Sequence, residues 1–135
     1  LMGDLTKNIS AHELLCKCGN CNVTILPQEP IIQIVQETCD HYAKEYGVDK
    51  VTLIINRGAS CYVYNRSDKI GSNDNSQHPR ACAIDFKIFI GKAQVPPNLI
   101  YEYLNKKYPD SLGLGVYTTF NHADTRPNKA RWSKM

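Results

Sequence analysis

A histidine and an aspartate lie close together in the segment 76–85, at the point where a polar stretch becomes an apolar one. His78 belongs to the polar stretch, and Asp85 follows Ala81-Cys82-Ala83-Ile84 inside the apolar one. A carboxylate in such surroundings is costly to bury unless a cation pairs with it. A metal ion is one such cation, and we therefore consider His78 and Asp85 as candidate ligands.

A second cluster of polar side chains occupies residues 120–126 near the end of the chain. If this segment is a strand, alternation places His122, Asp124 and Arg126 on one face together with Phe120. An imidazole, a carboxylate and a guanidinium on one strand face are unusual for a core and natural for a functional site.

Combining the two segments gives a ligand set suited to catalytic zinc, which takes three protein ligands and leaves a fourth position for water. The predicted ligands are His78, Asp85 and His122. Zinc polarises the scissile carbonyl and lowers the pKa of a bound water. Asp124 is the candidate general base. Its alternative role is to orient His122 through a hydrogen bond.

One short helix, two longer helices and four strands are predicted to position these side chains. Ser10 and Glu13 have capping-box spacing, which indicates a short helix beginning near Ala11. Pro30 opens a helical segment whose apolar positions lie near one face, and Gly47 ends it. The apolar positions are Ile31, Ile34, Val35, Tyr42 and Tyr46.

The remaining predicted segments are a buried strand at 51–56, a long surface loop at 57–77 and a strand at 81–90. They are followed by a helix that begins near Pro96 or Pro97 and ends before Pro109, and by two short strands around 115–119 and 120–126. This order predicts an α+β fold, with a small antiparallel sheet and flanking helices. The length of 135 residues fits a single domain spanning 1–135.

Composition and charge argue against several classes of partner. The net charge of +3 is small and the basic residues do not cluster, which disfavours nucleic acid. No apolar stretch has the length of a membrane span. We expect a monomer.

The six cysteines permit either a disulfide framework or reduced thiols, and 15 pairings are possible. The crowded trio could also contribute to a structural metal site. The residues are Cys16, Cys18, Cys21, Cys39, Cys61 and Cys82.

With these motifs in order, the sequence resembles the zinc D-alanyl-D-alanine carboxypeptidases and related peptidoglycan endopeptidases, including phage endolysins. That group shares its fold with the zinc domain of Hedgehog proteins. The matching residues are Ser76, His78, Ala83 and Asp85 in the first part, Gly113, Gly115, Tyr117, Phe120, His122 and Asp124 in the second, and the closing pair Arg131-Trp132. The Cys16–Gly19 tetrapeptide is similar to the opening of phage members.

The resemblance implies a zinc peptidase that acts on peptidoglycan stem peptides, with zinc bound by the three ligands named above. The implied substrate-binding residues are Ser76, Tyr117, Arg126 and Trp132. It also implies a protein that is secreted or associated with the cell wall, or held in the host cytoplasm before lysis if a phage encodes it.

The sequence departs from the family pattern at three positions. Arg57 stands at the usual serine place and Ser60 at the place of the arginine that supports the substrate, so that Arg57 is the candidate for this catalytic role. Ala81 replaces the usual glycine, and Thr119 replaces the acid of classical members. Two alternatives follow: a zinc-containing module that binds wall peptides or a protein partner without cutting, and a structural phage component.

Overall fold

The computed structural model describes residues 5–14, 29–58 and 82–135, in which two α-helices lie against a six-stranded sheet. A short 3-10 helix spans Ala11–Glu13. The α-helices are α1 (Glu29–Glu45) and α2 (Pro97–Lys107). The strands are β1 (Thr52–Arg57), β2 (Ala83–Ile90), β3 (Ala93–Gln94), β4 (Gly113–Tyr117), β5 (Asn121–Asp124) and β6 (Ala130–Lys134).

Helix α1 forms because its apolar residues recur at helical spacing and bury one face against the sheet. Ile31 and Val35 are fully buried, and Tyr42 is nearly so. The prediction for Tyr46 was wrong, since this side chain lies beyond the helix end and is 47% exposed. Gly47 ends the helix with a φ of +66°, a conformation that glycine adopts without steric cost.

The sheet has the strand order β1-β2-β5-β4-β6, with β3 paired to the far end of β2. Ile84, Phe86 and Ile88 alternate along β2 toward the core beneath the helices, and all three are fully buried. Ile100 and Leu104 of α2 pack into the same core. The side chain of Asp85, between Ile84 and Phe86 in β2, therefore points to the other face of the sheet.

The α+β class is confirmed, but the expectation of a purely antiparallel sheet was wrong. Strand β6 runs parallel to β4, while the other pairings are antiparallel. The cause is a short crossover. Strand β5 ends with Asp124 beside Gly113, the first residue of β4, and residues 125–129 carry the chain past that end. Strand β6 then begins with Ala130 beside the same Gly113.

The N-terminal segment 5–14 is attached to α1 through the side chain of Gln36, which is buried. Its Oε1 accepts hydrogen bonds from the hydroxyl of Thr6 at 2.7 Å and from the amide of Asn8 at 2.9 Å. Its Nε2 donates to the side-chain oxygen Oδ1 of Asn8 and to Oδ1 of Asp40, both at 2.9 Å. Every hydrogen-bonding position of this amide is thus used. The predicted capping contact is also present, because Glu13 accepts from the Ser10 amide at 2.9 Å.

Arg131 of β6 holds the turn that precedes β4. Its guanidinium donates to the backbone carbonyls of Leu112 and Tyr108, each at 2.7 Å, and of Ser111 at 2.9 Å. It also donates to the side-chain oxygen of Asn105 in α2 at 2.7 Å. Leu112 has a φ of 67°, which is strained for a residue with a side chain. The arginine bonds stabilise this strained turn.

Neither described α-helix is long and apolar enough to cross a membrane. Cys39 is a buried free thiol and Cys82 is buried beside β2. The other four cysteines lie outside the described residues, as does the predicted loop beyond Gly58.

Candidate metal site

The site is built on a row of residues that crosses five strands of the sheet. Strand register places Arg57 opposite Asp85, Asp85 opposite His122, His122 opposite Gly115, and Gly115 opposite Trp132. Directly opposed residues on neighbouring strands point their side chains to the same face. The row thus gathers candidate functional residues from distant parts of the chain on the sheet face away from the helices.

His122 lies at the centre of this row with both ring nitrogens in contact with carboxylates. Nδ1 is 2.7 Å from Oδ1 of Asp85, and Nε2 is 2.6 Å from Oδ2 of Asp124. Both partners and the ring itself are buried. Burial opposes protonation, but the hydrogen bonds with the two carboxylates outweigh it and raise the pKa of His122.

Asp124 has no exposed surface and uses both of its oxygens. Arg126 donates from Nε to Oδ1 at 2.8 Å and from Nη2 to Oδ2 at 2.7 Å, the two-bond geometry that suits this pair. The backbone amides of Gly113 and Arg126 each donate to Oδ1 at 3.1 Å. Burial raises the pKa of Asp124, but the bonds from Arg126 and His122 override it and hold that pKa well below its usual range. The carboxylate therefore remains ionised.

Aromatic side chains cover the outer side of the site. The indole of Trp132 lies with its centroid 5.0 Å from the His122 ring and 5.1 Å from Cζ of Arg126. Its Nε1 donates to the hydroxyl of Tyr117 at 3.0 Å. Tyr117 in turn stacks on Phe120, with ring centroids 4.3 Å apart. The last strand of the chain thus contributes directly to the surroundings of His122.

Glycines in β4 leave the space that these side chains fill. A Cβ at Gly113 would collide with the carboxylate of Asp124 and with Nε of Arg126. A Cβ at Gly115 would lie 2.5 Å from Cε2 of Trp132. The sequence pattern placed Gly115 at the start of a predicted strand around 115–119 and Gly113 outside it, whereas both lie in β4. The alternating Gly-x-Gly spacing was the one signal in the sequence for this role.

The structure brings together part of the predicted site. Asp85 and His122 meet, Asp124 contacts His122, and Arg57 lies in the same cross-strand row. Arg126 binds Asp124, while Tyr117 and Trp132 bind each other. His78 and Ser76 lie outside the described residues. Within 5–14, 29–58 and 82–135, no three His, Cys, Asp or Glu side chains are grouped so as to hold a metal ion.

The two described candidate ligands nevertheless fit zinc in chemical type. An imidazole nitrogen and a carboxylate oxygen are both common zinc donors. Here Nδ1 of His122 and Oδ1 of Asp85 converge on one buried spot, with Asp124 on the opposite ring nitrogen. Histidines that bind metals generally have such a partner on their second nitrogen.

Comparison with known proteins supplies the family. A family model described as Peptidase M15 matches residues 7–124, which is most of the chain. The chain belongs to the peptidase M15 family. The M15 match includes Asp85, His122 and Asp124 and ends before Arg126 and Trp132. No curated protein and no solved structure matches the chain significantly.

Proposed function

We propose that this M15 family member is a zinc-dependent peptidase that hydrolyses peptide bonds in the stem peptides of bacterial peptidoglycan, as a carboxypeptidase or an endopeptidase of the endolysin type. The observation that carries this proposal is the convergence of Nδ1 of His122 and Oδ1 of Asp85 at 2.7 Å, within the residues that match the family. The same family membership supports a Hedgehog-like fold and a place of action at the cell wall.

In this proposal His122 and Asp85 hold zinc together with His78. The bound metal would supply a polarised scissile carbonyl and an activated water. Both described ligands lie on paired strands, because β2 and β5 are hydrogen-bonded neighbours in which Asp85 and His122 are directly opposed. Such rigid placement leaves little ordering to be done when the metal binds.

Asp124 acts in this proposal through His122. Its carboxylate accepts from Nε2, which fixes the tautomer and the orientation of the ring and leaves Nδ1 to face Asp85. Four nitrogen donors besides His122 already engage the same carboxylate. A base needs an available lone pair, and the hydrogen bonds that lower the pKa of Asp124 also occupy its carboxylate oxygens. These contacts favour the orienting role over the role of general base.

Arg57 is the proposed contact for the substrate carbonyl or carboxylate. Its backbone lies opposite Asp85, on the same row as the metal ligands. A guanidinium is well suited to this task because it donates in a planar fork to carboxylate oxygens. The exchange of Arg57 and Ser60 relative to the family pattern therefore keeps an arginine at the edge of the site.

The test is digestion of purified peptidoglycan by zinc-loaded protein, with the released muropeptides identified by mass spectrometry. We expect new amino groups from the parent and at least a hundredfold slower release from His122→Ala, since a ligand is lost. The matched control is His41→Ala, because His41 lies on α1 and stacks on Tyr103. Equal rates for His122→Ala and the parent would show that the proposal is wrong.

A zinc-containing module that binds wall peptides without cutting them is the second candidate. The engaged carboxylate of Asp124 favours it, because the His122 ring is oriented for a metal while that carboxylate is held by Arg126. The two candidates differ in one measurement. The binding module would retain labelled wall fragments at equilibrium and release no new amino groups, whereas the peptidase would bind the fragments and release new amino groups.

A further inference from the structure

We infer that Trp132 and Arg126 are positioning residues for the metal site, which clamp Asp124 against Nε2 of His122. This inference rests on the proposed function, since it concerns how strongly His122 and Asp85 hold zinc. Both residues lie beyond the part of the chain that matches the family model. They were predicted as substrate contacts, and their contacts within the protein favour a different role.

The first step is the connection from His122 to Arg126. Asp124 bridges them, accepting on Oδ2 from Nε2 of the imidazole and from Nη2 of the guanidinium. The second guanidinium bond, from Nε to Oδ1, prevents the carboxylate from rotating about its own axis. The direction of the His122 ring is thus set by the position of Arg126.

The second step concerns what fixes Arg126 itself. Its guanidinium lies 5.1 Å from the centroid of the Trp132 indole, within the range of a cation–π contact. The same indole lies 5.0 Å from the His122 ring. The Trp132 indole therefore contacts both the His122 ring and the Arg126 guanidinium, and it restrains the two groups that Asp124 bridges.

The third step is the anchoring of the indole. Its Nε1 donates to the Tyr117 hydroxyl at 3.0 Å, and Tyr117 stacks on Phe120. Gly115, directly opposite in β4, provides the space in which the indole lies over the sheet. The position of the Trp132 indole is thus set by the space above Gly115 and by the hydrogen bond to Tyr117.

Loss of the clamp should weaken metal binding while leaving the two ligands in place. Residues that orient a metal-binding histidine typically contribute 10–100-fold to metal affinity. We expect the dissociation constant for zinc to rise by about that factor in Arg126→Gln. Arg126→Lys should recover part of the loss, because an ammonium keeps the charge without the two-bond geometry.

The experiment measures zinc affinity by competition with a chromophoric chelator for the parent, Arg126→Gln, Arg126→Lys and Trp132→Phe, with thermal unfolding of each metal-free protein. Arg131→Gln is the matched control. It removes a guanidinium from the neighbouring position of β6 that bonds the turn before β4 rather than the site. We expect Arg131→Gln to lower stability and to leave the zinc dissociation constant within about twofold of the parent, well short of a clamp effect.

Visible spectra of the cobalt-loaded proteins provide a second measurement that a general loss of stability does not change in a folded sample. Altered band positions in Arg126→Gln, with parent-like bands in Arg131→Gln, would support the clamp. Parent-like affinity and spectra in both Arg126 variants and in Trp132→Phe would overturn it. A folded parent that binds neither zinc nor cobalt would instead refute the proposed metal site and the clamp with it.

Discussion

Replacing Gly113 by alanine tests whether the buried Asp124 carboxylate depends on an open space in β4. The added methyl would overlap the carboxylate and Nε of Arg126. Strand β4 is paired on both sides, so that its backbone is held and the carboxylate must move by on the order of an ångström. That movement lengthens the bonds from Arg126 and His122, which are 2.6–2.8 Å long.

The magnitude follows from what is broken. Overpacking of this kind costs about 1–3 kcal/mol, and each weakened bond to a buried charge adds about 1.5–3 kcal/mol when it is lost entirely. Alanine is favoured over glycine in a strand by about 0.5–1 kcal/mol, which offsets part of this. Partial relaxation of the partly exposed Arg126 leaves a net loss of about 2–4 kcal/mol in the free energy of unfolding.

Urea denaturation of the metal-free proteins measures this loss, because a shifted midpoint at constant slope reports a change in stability. The control is a double-mutant cycle with Asp124→Ala, in which the carboxylate is absent and Arg126, no longer bonded to it, can move away from the added methyl. In that background Gly113→Ala should cost far less. A change below about 0.5 kcal/mol for Gly113→Ala, which is typical of a neutral surface position, would refute the reasoning. An equal cost in the Asp124→Ala background would refute it as well.

Three further outcomes are expected. Gln36→Ala should lower the free energy of unfolding by about 1–3 kcal/mol and speed hydrogen exchange in residues 5–14, because it leaves the Asn8 amide without its acceptor. The control in urea denaturation is Gln33→Ala, which changes an exposed glutamine of the same helix. Burial raises the pKa of the Cys39 thiol to about 12 from 9.0. The stability that the protonated thiol contributes is therefore fully present below pH 9 and is lost as the pH rises toward 12, because the thiol of the unfolded chain ionises first. The free energy of unfolding, measured as a function of pH, should decline less over this range in Cys39→Ala. Trp132 is the one tryptophan of the sequence and lies 5.0 Å from His122, so that cobalt should quench the intrinsic fluorescence and a chelator should restore it, and unchanged emission at saturating cobalt would contradict the proposed site.

Local pattern was sufficient to predict the two helices and the shared face of His122, Asp124 and Arg126. The helical spacing of Ile31 and Val35 reflects burial on one face, and such periodicity depends only on the sequence itself. Alternation along a strand is equally local and holds for His122 and Asp124 in β5, whereas Arg126 lies beyond the end of that strand and binds Asp124 through its side chain. Boundaries were less well predicted, since the apolar pattern of α1 continued to Tyr46 although Gly47 turns the chain.

Features that depend on strand pairing could not be predicted in this way. Strand β6 was missed because residues 130–134 mix basic, aromatic and polar side chains, and its pairing with β4 is parallel and edge-forming. Gly113 was not placed in a predicted strand, and glycine is in general unfavourable in a strand interior. Its role in β4 depends on Asp124 of the neighbouring strand, whose carboxylate lies in the space that a Cβ at position 113 would need.

Strand register ultimately decides which side chains meet at this site. A slip of one residue between β2 and β5 would set Ile84 or Phe86 against His122 and would turn Asp85 away from it. The irregularity in strand β1 between Ile55 and Arg57 likewise determines which residue lies opposite Asp85.

Without that bulge, the residue opposite Asp85 would be Asn56, because Ile55 already pairs with Phe86. The extra residue brings a guanidinium to this position instead of an amide. The displacement of arginine in the sequence and the bulge in the strand are therefore two parts of one arrangement, which keeps a cationic side chain at the edge of the row that holds His122.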